Sequence, residues 1–366
     1  MVIKSKLRLT VDIGPLFETQ WTGIPVFTRR AVQSLLASNL VDLDFAYNLV
    51  NIPREQVIDA IKCNSGGFLR DSYERHVGKK HRFKLVDTKR PIFYPTVKLH
   101  HGVLARESST VHDMSTLVMP ENHETANIDY HMEYLQQELV TDEVVFCVSE
   151  ATEAALLSAY PSVKSKTRVL YQYADWPENF LDIDKNLPSP MIGPYVAVIG
   201  TIEPRKNLSL ILAALKEPAL QNSDIKFVVI GKKGWKVDEF LAELTTKERS
   251  RIIFSGFVTE FIKYRLLRHC EFLVFPSVYE GFGIPALEAM TLGKPVVAAM
   301  TSSFPEVIGP AGIYFDPCST SDFSEAFSRA MNLKIRARHA EQAIPFSSSF
   351  NQKRMSEEII RWLRQQ

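Results

Sequence analysis

The sequence is poor in cysteine, in net charge and in long apolar runs, and each shortage removes a class of protein. Its four cysteines, Cys63, Cys147, Cys270 and Cys318, stand far apart and form no CxxC pair. That spacing suggests neither a zinc cluster nor a small disulfide framework, and it fits a reducing cytosol. Lysine and arginine number 43 against 42 aspartates and glutamates, a net charge of +1, so no global field draws the chain to nucleic acid. Nowhere do roughly 18 uninterrupted apolar residues occur. The start, MVIKSKLRLTVDIG, has a basic stretch with only a short apolar strand behind it, so neither a signal peptide nor a membrane span is expected. Internal repeats and low-complexity tracts are missing as well.

What is present is a globular composition. With 366 residues, 45% hydrophobic and 23% charged, the chain favours two domains over one core, and two domains imply a cleft. Segment 7–13, LRLTVDI, alternates like a strand, and Gly14 and a polar loop lead to a helical pattern from Gly23 to about Ser38. Further strands are expected at Asp44–Leu49, Thr110–Met114 and Val144–Val148, the last passing through Ser149, a plausible N-cap, into a helix Glu150–Ser158. The stretch 123–139 reads as a mostly polar-faced helix.

Between Tyr173 and Pro194 the chain is rich in Pro and Asp and lacks either periodicity, which marks a linker. The second half then alternates regularly. Strands are expected at 195–199, 226–230, 252–254, 272–275 and 295–299, with helices at 207–215, 237–244, 261–269 and 285–292. Such alternation predicts a parallel, doubly wound sheet with ligands at the carboxyl ends of its strands. Met355, Ile359, Ile360 and Leu363 recur at helical spacing near the C-terminus. The expected division is an α/β domain over 1–180, a second over 191–346, and a C-terminal helix within 347–366 that straps back onto a neighbouring domain.

The most informative window is FPSVYEGFGIPALEAMTLGKPVVAA, residues 275–299. A strand ends there in a Gly-rich turn that opens a helix. Gly281 and Gly283 let backbone approach a ligand, the N–H groups around Phe282 to Ile284 are helix-start donors, and Pro285 suits the first helical turn. Plain architecture uses the same pattern. Glu280 and Glu288 bracket the turn, and a carboxylate beside phosphate-binding amides would repel a diphosphate. Each acid therefore suits sugar or ribose hydroxyls better.

Glu280, seven intervening residues and Glu288, within P-S-x-x-E-G-F-G-x-P-x-L-E-A-M, resemble the E-x7-E motif of retaining GT-B glycosyltransferases, glycosyltransferase family 4 (glycosyl transferases group 1). The resemblance implies a GT-B architecture, two Rossmann-like α/β domains with parallel sheets facing across a cleft, the first on the acceptor side and the second binding a nucleotide sugar. It places Glu280 near the transferred sugar and Glu288 on the donor ribose, with the amides of Gly281, Phe282, Gly283 and Ile284 facing sugar hydroxyls or phosphate. GTIEPRKN, residues 200–207, is similar to the family's diphosphate-binding loop. There Arg205 and Lys206 would stabilise the charge of the departing diphosphate without a metal ion. Taken alone, the loop reads as a solvated basic turn with Asn207 capping the next helix.

In the first half, Val111-His112-Asp113 after a strand resembles members that set a histidine beside the donor sugar, which makes His112 a candidate and gives Asp113 the role of orienting its imidazole or binding acceptor hydroxyls. Thr22-Gly23-Ile24 resembles the first glycine loop of the same fold, which brings Gly23 under the donor or acceptor. Trp21 beside it either stacks on an acceptor ring or packs. His100 and His101 stay loop residues. GKKGW, residues 231–235, looks like the corresponding segment of mannosyltransferase-like members and favours GDP-mannose over a UDP-sugar, and Ser255–Val258 resembles the base-contacting turn.

The resemblance implies retention of anomeric configuration by front-face transfer, with Arg205 and Lys206 stabilising the leaving group and His112 and Glu280 positioning the sugar. No Asp-x-Asp motif stands in a suitable loop, so no metal or other cofactor is expected. The expected partners are a nucleotide-sugar donor and a glycan or lipid-linked glycan acceptor, as in polysaccharide, lipopolysaccharide or O-antigen biosynthesis, with no nucleic acid. The expected location is cytoplasmic. Basic residues over 70–90 suggest peripheral association with the inner membrane surface or simply a solvated face. Rival readings are a nucleotide-sugar epimerase or phosphorylase on the same scaffold, the latter without a pyridoxal phosphate signature, and a non-catalytic binding subunit.

Overall fold

The computed structural model describes residues 6–77, 84–123, 125–190, 192–221, 223–232, 234, 242 and 245–365. It divides into two compact units, residues 1–173 with 351–366 and residues 174–350. The first unit carries strands β1 (Leu7–Asp12), β2 (Val41–Tyr47), β3 (Val50–Ile52), β4 (Ile92–Phe93), β5 (Glu107–Val111), β6 (Val144–Cys147) and β7 (Thr167–Val169). They form one sheet in the order β3-β2-β1-β4-β5-β6-β7. Every pairing is parallel except that of β2 with β3.

The second unit has β8 (Tyr195–Ile199), β9 (Lys226–Ile230), β10 (Ile252–Gly256), β11 (Leu273–Phe275), β12 (Val296–Ala299) and β13 (Gly312–Phe315). Their order is β10-β9-β8-β11-β12-β13, all parallel. The β-branched runs of β8 and β12 are buried along their whole length, as a sheet covered on both faces requires. In both sheets the strand order reverses beside the first strand, between β1 and β4 and between β8 and β11. A crevice opens at the carboxyl ends of such a strand pair, because the connections leave in opposite directions.

Several elements depart from the sequence expectation. The first-half strand expected at 44–49 runs from Val41, because Asp42 and Asp44 on it are held by the buried guanidinium of Arg90, at 3.2 and 2.7 Å. The strand expected at 110–114 ends at Val111, which leaves His112 and Asp113 in the loop beyond β5. The stretch read as a plain linker holds a helix, Asn179–Lys185. Seven residues are too few to show a period, and tertiary contacts hold it: Asp184 meets Arg265 at 2.5 Å, His269 at 2.9 Å and Arg268 at 3.1 Å, while Phe180 stacks edge-on against Phe261. Residues 174–190 thereby join the second unit. The helix expected at 237–244 lies outside the described residues except for residue 242.

The C-terminal helix Gln352–Arg364 buries Met355, Ile359, Ile360 and Leu363 within the first unit. Arg106 fastens its end, donating to the carbonyls of Trp362 and Gln365 at 3.1 and 2.9 Å. No helix of the described residues is long and apolar enough to cross a membrane.

Candidate active site

The two strands beside the reversal point of the second unit each deliver a loop. After β8 comes Gly200 and the short turn Pro204–Lys206; after β11 come Pro276 and the Glu280–Gly283 turn. Because β8 and β11 are neighbours, residues from both loops meet. Lys206 Nζ donates to Glu280 Oε1. Arg205 Nη1 lies 3.4 Å from Glu280 Oε2 and donates to the Tyr279 carbonyl at 2.9 Å, while Nη2 reaches Glu203 at 2.9 Å. Val278 N–H in turn donates to the Arg205 carbonyl at 3.0 Å, so backbone and side chains lock the two loops together.

Gly200 makes room for this arrangement. A Cβ there would stand 3.0 Å from Lys206 Cε, and its φ of +149° disfavours other residues. Asn207 does not cap the following helix with its side chain. Its amide instead donates to the carbonyls of Pro276 and Pro317, at 3.2 and 3.0 Å, tying the basic turn to the end of β11.

Glu280 itself is only 9% exposed. Its backbone N–H donates to Ser302 Oγ at 2.9 Å, and Ser303 Oγ donates to the carbonyls of Glu280 and Phe282, each at 3.0 Å. Ser302 takes a positive φ of 45° to do so, a conformation that a non-glycine residue keeps only when its surroundings hold it. Burial pushes the Glu280 carboxyl up, but the Lys206 ammonium and the Arg205 guanidinium outweigh burial and hold it below its ordinary range. Glu280 is therefore ionised at neutral pH.

Gly283, at φ +92°, opens the helix Ile284–Thr291 with Pro285 in its first turn and no side-chain cap. A Cβ at Gly283 would press on the Phe304 ring at 3.0 Å. The Phe282 side chain is buried against Phe350, so only its backbone is presented. Glu288, one turn along the helix, is 1% exposed. Lys263 Nζ donates to both its oxygens, at 2.9 and 2.8 Å, and lies over the Trp176 ring at 5.3 Å. Among the described residues no group of three or more His, Cys, Asp or Glu is arranged to hold a metal ion.

The remaining candidates lie in the first unit. His112 Nε2 meets the Pro95 carbonyl at 2.7 Å. A carbonyl only accepts, so Nε2 carries the proton and Nδ1 keeps a lone pair. Burial holds the imidazole below its ordinary pKa, against the opposing pull of the Pro95 carbonyl and Asp113, and the ring stands edge-on to Phe27. Asp113 Oδ1 accepts from Ser115 N and Oγ, at 2.9 and 2.6 Å. Gly23 has φ +48° at the start of the helix Ile24–Ser38, with open space where a Cβ would stand. Trp21 is buried, its indole N–H on the Glu18 carbonyl at 2.9 Å.

This arrangement has relatives. Residues 180–345 match the family described as glycosyl transferases group 1. Over 320 residues, 81% of this chain and 83% of the relative, the sequence is 31% identical to the O-antigen chain mannosyltransferase B of Escherichia coli. The chain belongs to the glycosyl transferases group 1. The serotype-specific mannosyltransferase WbdA of Escherichia coli is 32% identical over 162 residues, 42% of this chain and 20% of that protein. Among solved structures, the sucrose-phosphate synthase of Thermosynechococcus elongatus superposes with a TM-score of 0.69 at 17% identity, covering 98% of this chain and 99% of that one. The fold of the glycosyltransferase is GT-B, with two Rossmann-like units.

Several groups that touch these residues in the glycosyltransferase carry no signal in the sequence. Lys263 sits in an unremarkable amphipathic helix, and Ser302 and Ser303 follow β12 outside any motif. In the first unit a cavity of 280 Å³ opens at the carboxyl ends of β1, β2 and β4, lined among others by Asp12, Tyr47, Asn48, Tyr94 and His100. Asp12 ends the strand that leads into Gly14, a position any Rossmann-like first strand offers to a ligand. His100, set aside as a loop residue, lines this cavity with its Nε2 2.7 Å from Asn48 Oδ1.

Proposed function

We propose that this glycosyltransferase moves a mannosyl residue from GDP-mannose to a hydroxyl of a glycan or glycolipid, with retention at the anomeric carbon and without a metal ion. The observation that carries the proposal is the seating of Arg205 and Lys206 on Glu280 at the carboxyl ends of β8 and β11. Two fixed cations beside an ionised, buried carboxylate match a donor whose diphosphate is anionic and whose sugar offers hydroxyl donors. The likeness to two mannosyltransferases supports mannose as the sugar.

In this scheme the donor's C1–O bond to the β-phosphate breaks while Arg205 and Lys206 take up the charge of the leaving diphosphate. The acceptor oxygen attacks from the same face, and its proton passes to the departing phosphate oxygen. Glu280 accepts hydrogen bonds from hydroxyls of the transferred sugar and Glu288 from the ribose. The unprotonated Nδ1 of His112 is a further acceptor for a sugar hydroxyl. Retention then follows from geometry rather than from a covalent intermediate.

The test is turnover of a panel of GDP- and UDP-sugars in the presence of EDTA. GDP-mannose should be hydrolysed slowly without acceptor and consumed faster with one. Consumption of a UDP-sugar alone would refute the donor assignment, and loss of all turnover in EDTA would refute metal independence.

A further inference from the structure

We infer that the cavity at the carboxyl ends of β1, β2 and β4 seats a single neutral pyranose of the acceptor, and that its lining rejects a sugar carrying phosphate or another anion. The inference deepens the proposed function and rests on it for the word acceptor.

Size comes first. At 280 Å³ the cavity stands at the small end of ligand pockets, about 300 Å³ and upward, which suits one sugar ring rather than a nucleotide. Charge comes next. The lining holds two carboxylates, Asp12 and Glu18, and neither lysine nor arginine. Its one basic side chain, His100, is engaged with Asn48. A phosphate here would find neither lysine nor arginine to pair with, whereas sugar hydroxyls donate to and accept from Asp12, Asn48 and Tyr94.

Two polar groups in the cavity wait for a partner. The Tyr94 hydroxyl belongs to a residue 4% exposed and has no hydrogen-bond partner among the described residues. Such a buried hydroxyl carries a cost until something bonds it. Asp12 spends Oδ1 on the Gly14 N–H at 2.9 Å, which leaves Oδ2 for a ligand. Apolar surface completes the seat: Tyr47 is wedged between Phe17, stacked at 4.0 Å, and Tyr73 at 4.9 Å, and Leu49 and Leu99 line the opening. Asn48 and Leu49 turn the chain from β2 to β3 with φ of 51° and 61°. Leucine holds that conformation only under constraint, and the His100–Asn48 hydrogen bond across the cavity supplies one.

The experiment uses the whole chain and two probes, methyl α-D-mannopyranoside and its 6-phosphate, with binding followed by saturation-transfer NMR in the absence of donor. The neutral sugar should bind and the phosphate should not. Tyr94→Phe and Asp12→Asn, each checked for folding by thermal unfolding, should weaken the neutral sugar about tenfold, the effect of one lost hydrogen bond to a charged or buried group. Equal binding of the phosphorylated sugar, or unaltered binding of the neutral one in both folded variants, overturns the inference. Donor hydrolysis, measured separately, reads the proposed function. Sugar binding with no hydrolysis of any donor would sink the transferase proposal and leave the cavity a sugar seat.

Discussion

Lys206 and Glu280, 74 positions apart in the chain, share a hydrogen bond at the mouth of the crevice between β8 and β11. The cation assigned to the leaving diphosphate thus rests on the acid assigned to the transferred sugar. The ammonium keeps the carboxylate charged, and the contact holds both in place. Replacing the acid by its amide, Glu280→Gln, should lower the rate of transfer about 100-fold or more. It should leave GDP affinity undiminished, because the two cations are then released toward phosphate. Steady-state kinetics and isothermal calorimetry with GDP check both halves.

Arg205→Ala and Lys206→Ala should act in the opposite sense on binding. Each removes a charge-assisted contact to the diphosphate, so each should weaken GDP about tenfold or more, and the weakening should shrink as salt rises. Titration of GDP at two ionic strengths checks this. Equal GDP affinity in both variants would remove the diphosphate from this loop.

What the sequence disclosed and what it withheld follow one line. Glu280, Gly283 and Pro285 were legible because a local chain turn requires those residue types close together. The regular alternation of the second half was equally plain, since each buried strand is a short β-branched run. The contact of Lys206 with Glu280 was not legible, for it depends on β8 lying beside β11, a matter of strand order. The bond of Lys263 to Glu288 and the meeting of Tyr94 and Asp12 in one cavity were hidden for the same reason. The helix Asn179–Lys185 escaped because its partners, Arg265, Arg268 and His269, lie some 80 residues downstream.

Lys263→Ala would take from the Glu288 carboxylate, which is 1% exposed, the ammonium that bonds both its oxygens. Removing one partner of a buried pair costs more than the pair contributes. Since Lys263 itself is partly solvated, a loss of about 2 kcal/mol is expected. Chemical denaturation at neutral pH checks it.

Asp12 predicts a pH dependence of its own. Burial raises its pKa from 3.8 to about 7, against the pull of the Gly14 N–H. The folded state therefore holds this proton more tightly than the unfolded chain, and the Asp12 contribution to stability falls as pH rises from about 4 to 7. Asp12→Asn removes that penalty, so its thermal midpoint relative to the native protein should climb between pH 5 and pH 8. Tyr94, Glu18 and His100 share the cavity and are the same in both proteins, which leaves the difference to Asp12. A constant difference across that range would place the Asp12 pKa elsewhere.

The most direct test of the account is the fate of the anomeric carbon. GDP-mannose labelled with ¹³C at C1, incubated with the protein, EDTA and methyl α-D-mannopyranoside, is followed by NMR. Front-face transfer predicts an α-linked mannoside with release of GDP, and loss of this product in Glu280→Gln. A β-linked product would contradict retention, and the absence of any transfer or hydrolysis by folded protein would contradict the catalytic assignment itself.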